Sequence, residues 1–157
     1  MSTDEDARFE AFFKEQFPRV ARTTAFVTGD LQEGMDIAQE AMARVYQHWR
    51  KVSAMDRPDA WVHRVATNLA LSRLRRRRPE KLVTEPPSLQ PAPLDDELLD
   101  AVRSLSPAQR SVIALRFYLD WSVEDVAEAL GKKPGTVRAL THQGMERLRS
   151  LLLEETP

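Results

Sequence analysis

Ser122-Val123-Glu124-Asp125-Val126-Ala127-Glu128-Ala129-Leu130-Gly131, followed by Lys132-Lys133-Pro134-Gly135-Thr136-Val137-Arg138, is the stretch whose reading decides the fold. Ser122 with Asp125 three residues on has the form of a capping box, and Val126, Ala127 and Leu130 then recur at helical spacing. Gly131 is a stop signal, the basic turn Lys132-Lys133-Pro134 follows, and a last helix is predicted from about Gly135 to Leu153. A short helix, a tight turn and a longer helix have the spacing of a helix-turn-helix. At about 100° per residue, Val137, Leu140, Gly144, Leu148, Leu151 and Leu152 share one face of the last helix. Thr136, Arg138, Ala139, His142 and Gln143 then point away from it. A helix in the major groove reads bases with its amino-terminal half. Arg138 suits guanine acceptors or phosphate, Gln143 suits adenine, and Ala139 permits close approach. Lys132, Lys133, Arg147 and Arg149 flank this face and would set the helix on phosphates. The alternative is an ordinary helical hairpin with a solvated polar face; the caps, the glycine stop and the basic flanks favour DNA.

Upstream, Ser106-Pro107-Ala108-Gln109 is another capping box, with proline in the first turn, and starts a helix through Val112, Ile113, Leu115 and Phe117. Leu98, Leu99, Val102 and Leu105 mark a short helix before it. Further back, five of the ten prolines (Pro79, Pro86, Pro87, Pro91 and Pro93) crowd together, and Leu82 to Asp100 carries acids but no bases. Proline fixes φ and removes amide donors, so this stretch reads as an extended acidic tether rather than a helix or sheet strand. Before the tether, Phe9, Phe12, Phe13 and Val20 are helically spaced. Pro18 is expected to kink or interrupt that segment, and Gly29-Asp30 to end it. A second helix carries Ala38, Ala41, Val45 and Trp49 on one face and Asp36, Gln39, Glu40, Arg44 and Gln47 on the other. Lys51 to Arg57 reads as a loop. Pro58 opens a third helix with Trp61, Val65, Asn68 and Leu69, ending in Arg75-Arg76-Arg77-Arg78-Pro79. With no β alternation of useful length, the expectation is an all-α chain of two small helical domains: residues 1–79, a Pro-rich acidic linker at 80–97, and a helix-turn-helix domain at 98–157.

Trp61 to Arg78 holds six arginines, His63 and Asn68, with no acid after Asp59. A cationic surface with an aromatic platform suits unpaired DNA; equally, arginines at a helix carboxyl end complement its dipole and are often only solvated. The polar face Asp36, Gln39, Glu40 and Arg44, without obvious intrahelical partners, reads as a solvent face or as a dock for a cationic helix.

The 157 residues balance 23 Lys and Arg against 24 Asp and Glu, so the charge of −1 hides a segregated distribution. Zero cysteines exclude a disulfide scaffold, a thiol nucleophile and thiolate metal sites. No apolar run is long enough to span a bilayer, so no membrane insertion is expected, and the acidic start Met1 to Asp6 is unlike a secretory signal; the chain is expected in the cytoplasm. His48, His63 and His142 lack metal-ligand spacing, no glycine-rich phosphate loop occurs, and Asp95-Asp96 lies in the tether where nothing shifts its pKa. Neither an enzyme, nor a metal, nor a cofactor is expected.

Taken together, the motifs resemble the extracytoplasmic-function (ECF, group 4) sigma factors of bacterial RNA polymerase, in the sigma-70 family. Asp36-Ile37-Ala38-Gln39-Glu40-Ala41-Met42-Ala43-Arg44-Val45-Tyr46 resembles the family's polymerase-docking region, Pro58-Asp59-Ala60-Trp61-Val62-His63-Arg64-Val65-Ala66-Thr67-Asn68 with Arg75–Arg78 its −10 helix, and Leu105-Ser106-Pro107-Ala108-Gln109-Arg110 through Leu148-Arg149 its −35 domain. The resemblance implies a factor that binds core polymerase (beta-prime clamp helices and beta flap) and directs initiation at promoter DNA. It assigns Asp36, Gln39, Glu40 and Arg44 to polymerase. It assigns Lys51, Arg57, Trp61, Arg64, Asn68, Arg75 and Arg76 to the melted −10 element, with the Lys51–Arg57 loop holding a flipped base. Lys132, Lys133, Gly135, Thr136, Arg138, Ala139, His142 and Gln143 go to the −35 duplex. It adds an anti-sigma factor as a candidate partner and association with the nucleoid through polymerase. The chain departs from the family pattern where Leu140, Gln143 and Ser72 stand, positions that often carry two basic residues and an aspartate. A self-contained helix-turn-helix repressor, or a polymerase-docking adaptor without DNA readout, are the rival readings.

Overall fold

The computed structural model describes residues 2–76 and 96–154, and all the regular elements among them are helical. Helix α1 (Thr3–Thr28) starts in a capping box, Ser2 Oγ accepting from the Glu5 amide and Glu5 accepting from the Ser2 amide at 3.0 Å. It ends at Gly29, whose φ of +74° is left-handed and whose N–H donates to the Ala25 carbonyl. Pro18 does not interrupt it. The ring is solvent-exposed, and burial of Val20, Ala21, Ala25 and Val27 in the turns that follow holds the helix together despite the missing bond.

Asp30 caps α2 (Leu31–Gln47) by accepting from the Glu33 amide at 3.1 Å. The two helices cross closely at Gly34: a Cβ there would lie 2.6 Å from the Ala25 Cα, and Thr24 Oγ1 donates to the Gly34 carbonyl at 2.7 Å. The second helix stops at His48, one residue short of the predicted Trp49. Trp49 and the residues after it form a separate short helix, α3 (Trp49–Ser53), so Lys51 is helical where a loop was expected. The reorientation at His48 lets Trp49 stay buried against Phe9 and Phe12, with ring centroids 5.5 and 5.4 Å away. Helix α4 (Pro58–Arg76) lies across α1 and α2 and completes a core of Val20, Val27, Ile37, Met42, Val45, Val52 and Val62.

The second block begins with α5 (Asp96–Arg103), which takes in Asp96 and Glu97, two residues assigned to the tether; the rest of the tether lies outside the described residues, as do Arg77, Arg78 and Pro79. Both halves of the capping box at Ser106 and Gln109 are made at the start of α6 (Pro107–Ile113). The predicted continuation through Phe117 is not α-helical. Ala114–Tyr118 is a π-turn, closed by the Leu119 amide on the Ala114 carbonyl at 3.2 Å. The wider turn buries Ala114 and Leu115 and leaves Phe117 55% exposed. Helices α7 (Val123–Leu130) and α8 (Pro134–Glu154) follow, around Val102, Val112, Leu115, Val126 and Val137.

The two blocks pack on each other. Phe26 of α1 and Ala60 of α4 reach the second core, and Ala114 reaches the first. Arg103 Nε donates to the Gly29 carbonyl at 2.8 Å, and the Arg22 guanidinium sits 5.7 Å over the Tyr118 ring. Arg110 is buried beside this seam, and its pKa is lowered to about 10, first by burial and then by the charge of Arg103. It stays charged at neutral pH.

Candidate nucleic-acid interface

The helix-turn-helix is built as its local signals dictate. Ser122 Oγ accepts from the Asp125 amide at 3.0 Å at the start of α7. Asp125 is shorter than the glutamate of a full box, and the reciprocal bond is not among those the structure makes. Gly131, at φ +64°, ends the helix in open space, and the Lys132 amide returns to the Ala127 carbonyl at 2.9 Å. On α8, Val137, Gly144 and Leu148 are buried, and Leu140, Leu151 and Leu152 are half-buried. Thr136, Arg138, Ala139, His142 and Gln143 are all exposed, as are Lys133 and Gly135, while Lys132 is half-buried. Arg138 is not idle in this state: its Nη2 lies 3.6 Å from Glu124 Oε1 of α7. Both side chains are well over half exposed, so the pair is weak enough for a base edge or phosphate to displace. The predicted flanks Arg147 and Arg149 are turned elsewhere, Arg147 Nε towards Ser104 Oγ at 3.4 Å and Arg149 towards Glu146 at 3.3 Å.

On α4, Trp61, Arg64, Asn68, Ser72 and Arg76 recur three or four residues apart and therefore form one stripe, about 22 Å long at 1.5 Å per residue. Arg64, Asn68, Arg75 and Arg76 are exposed, Trp61 and Ser72 half-buried. The stripe divides into two sites. Arg57, Trp61 and Arg64 form one wall of a cleft of about 290 Å³ whose other wall is Trp121, Asp125 and Glu128 of the second block. Arg64 Nη1 is 3.8 Å from Glu128 there. Asn68, Ser72, Arg73 and Arg76 instead line a groove of about 570 Å³ with Glu40 and Arg44 of α2. Lys51, on α3, belongs to neither.

Arg57 is 3.3 Å from Asp59. Burial pushes the Asp59 carboxyl up, but the Arg57 hydrogen bond and charge, with the amides at the helix start, outweigh it, and the net direction is down. His63, one turn on, is buried, and its pKa is lowered to about 4, by burial first and then by the Arg19 charge, against the pull of Asp59.

Asp36, Gln39 and Arg44 are exposed and Glu40 half-buried on the outward face of α2. This face does contain intrahelical partners, contrary to the sequence reading: Gln32 donates to Asp36 at 3.3 Å and Arg44 to Glu40 at 3.2 Å. Glu40 also accepts from Arg73 of α4 at 2.8 Å.

Residues 12–80 match the family model for Sigma-70 region 2, and residues 95–148 that for Sigma-70, region 4. The RNA polymerase sigma-E factor of Streptomyces coelicolor is 32% identical over 154 residues, spanning 92% of this chain and 86% of the relative. The ECF RNA polymerase sigma factor SigL of Mycobacterium tuberculosis is 31% identical over 162 residues, spanning 96% and 92%. The chain is an ECF sigma factor of the sigma-70 family.

Its fold agrees with that of the sigma factor RpoE from Bartonella quintana, solved with the anti-sigma factor NepR: the TM-score is 0.78 at 21% identity, over 94% of this chain and 98% of that one. As a sigma factor it binds core RNA polymerase and directs promoter-specific initiation through duplex −35 and melted −10 DNA, and the repressor and adaptor readings are not favoured. Sigma factors are not enzymes. No described helix is long and apolar enough to cross a membrane. Two features of this sigma factor had no sequence signal. Glu40 meets Arg73 across 33 positions of chain, and Asp125 and Glu128 face the −10 candidates from the other block. Both depend on helix packing, which short-range spacing does not encode.

Proposed function

We propose that residues 1–79 form the polymerase-docking and −10 module, 80–97 the linker, and 98–157 the −35 module. Asp36, Gln39, Glu40 and Arg44 meet the beta-prime clamp helices, and the second module meets the beta flap. Lys51, Arg57, Trp61, Arg64, Asn68, Arg75 and Arg76 take the unpaired −10 strand, while Lys132, Lys133, Gly135, Thr136, Arg138, Ala139, His142 and Gln143 take the −35 duplex. The observation that carries this reading is the stripe on α4: a half-buried tryptophan, an exposed amide and a row of exposed arginines along one helix face, the composition that stacks and neutralises a single strand. Support for the duplex assignment comes from the exposure of every predicted reading residue on the first half of α8. Two weak modules held on one polymerase reach useful affinity through bivalence. The protein performs no catalysis itself, works in the cytoplasm on nucleoid DNA through polymerase, and has an anti-sigma factor as a further partner, as the Bartonella quintana sigma factor has.

The test mixes the purified chain with core polymerase and a promoter library. The expected result is new, sequence-specific transcript starts. Arg138→Ala is expected to weaken −35 recognition by about 1–3 kcal/mol for a bidentate base contact. Asn68→Ala is expected to impair promoter melting with core binding intact. Unchanged promoter affinity for the first variant, or lost core binding for the second, would refute that residue's role.

A further inference from the structure

The groove between α2 and α4 holds three guanidinium groups, of Arg44, Arg73 and Arg76, against one carboxylate, that of Glu40, with the Asn68 amide and Ser72 hydroxyl beside them. At about 570 Å³ and open to solvent it has room for a nucleotide unit. Both Glu40 oxygens are engaged: Oε2 accepts from Arg73 at 2.8 Å and Oε1 from Arg44 at 3.2 Å. A carboxylate held between two guanidinium groups, by one nitrogen of each, occupies a position that a phosphate can take on the same groups. The pair is partly exposed, with Arg73 at 35% and Glu40 at 40% of side-chain surface, so it exchanges readily for a stronger anion. Arg73 and Arg76 are three residues apart on α4 and so neighbour each other on its surface, with Asn68 and Ser72 in the preceding turns.

We propose that this groove binds the phosphodiester backbone of an unpaired nucleic-acid strand, with Arg73 and Arg76 as its cationic grip and Glu40 as an internal competitor. The proposal rests on the reading of α4 as the −10 helix and adds Arg73, a residue that reading leaves out. Glu40 belongs to the proposed docking face as well as to the groove. Drawing its carboxylate into a polymerase contact frees Arg73 for the strand, which couples docking to strand capture, and coupling of this kind is reciprocal.

The experiment measures binding of a fluorescent single-stranded oligothymidylate to the full chain, without polymerase, across a salt series. Arg73→Ala is expected to weaken binding about fivefold and to lower the slope of log affinity against log salt by about 0.7, one phosphate contact on a single strand. Arg73→Lys keeps the charge and is expected to keep the slope. Lys14→Ala, which removes an equal charge from an exposed pair with Glu10 on α1, is expected to change neither. Glu40→Gln is expected to tighten binding about threefold, and to give no gain in the Arg73→Ala background. The proposal is overturned if Arg73→Ala behaves as Lys14→Ala does, or if the unmodified chain fails to bind at about 50 mM salt. Competition by inorganic phosphate beyond its effect on ionic strength would mark a pocket for free anions and equally overturn it. Promoter melting by the Asn68→Ala holoenzyme separates the two readings. Normal melting there with a loss for Arg73→Ala on the oligonucleotide defeats the −10 reading and leaves the groove standing; the reverse pattern defeats the groove alone.

Discussion

Gly34 and Gly144 are both buried helix-crossing glycines, but they meet different neighbours. A Cβ at Gly34 runs into the Ala25 backbone, which is part of α1 and has nowhere to go, whereas one at Gly144 meets the Ile113 Cδ1 at 2.6 Å, the far end of a flexible side chain. Gly34→Ala is therefore expected to cost about 3 kcal/mol and Gly144→Ala about 1 kcal/mol in urea unfolding; equal costs would mean the α1–α2 crossing is looser than described. His63 makes a second residue-level prediction. Its folded pKa of about 4 lies below the ordinary 6.5, so the unfolded chain binds the extra proton. Its share of stability is complete above about pH 6.5 and is lost as pH falls towards 4, at most about 3 kcal/mol. Comparing His63→Gln with the parent across that window checks it, since the substituted chain should lose less. Spacing placed Gly144 on the inward face of α8, but the closeness of both crossings and the burial of His63 depend on what packs opposite.

At the scale of elements, caps and stops are local chemistry: the caps at Ser106 and Ser122 and the stops at Gly29 and Gly131 were read from the sequence, while Ser2 and Asp30, not read as caps, also accept an amide at a helix start. Elements departed from the sequence reading where packing overrode local preference. Pro18 sits inside a continuous α1, the helix after Ala38 breaks at His48, and α6 widens into a π-turn that turns Phe117 outward. Pro18→Ala restores the missing amide donor on an exposed position, and is expected to raise stability by about 2 kcal/mol in thermal or urea unfolding. A destabilised variant would show that the proline serves the fold in a way the intact helix does not reveal.

At the scale of the whole molecule, the seam between the blocks runs beside part of the surface proposed for the −10 strand. Asp125 and Glu128 face Arg57, Trp61 and Arg64 across a cleft, so a strand at that end of the α4 stripe would meet two carboxylates of the second block. Arg103 is a polar anchor of the seam, through its bond to the Gly29 carbonyl, beside the weaker Arg64–Glu128 pair and the Arg22–Tyr118 contact. Removing a partly exposed charged donor costs about 1–2 kcal/mol. Arg103→Ala is expected to shift the chain towards separated blocks, read as a larger radius of gyration in small-angle scattering and a lower energy-transfer efficiency between labels on the two blocks. An unchanged radius would place the strength of the seam in its apolar contacts with Phe26 and Ala60 instead.

The amino-acid sequence by itself determined the helices, their caps, the inward and outward faces of α8, and membership of a sigma family, because each is set by residues within a turn or two of one another. Tertiary structure alone decided that Glu40 holds Arg73, that Arg57, Trp61 and Arg64 line a cleft while Asn68 and Arg76 line a groove, and that the cleft's far wall is acidic. Those relations join side chains dozens of positions apart, and only the burial of apolar faces between helices brings them within reach.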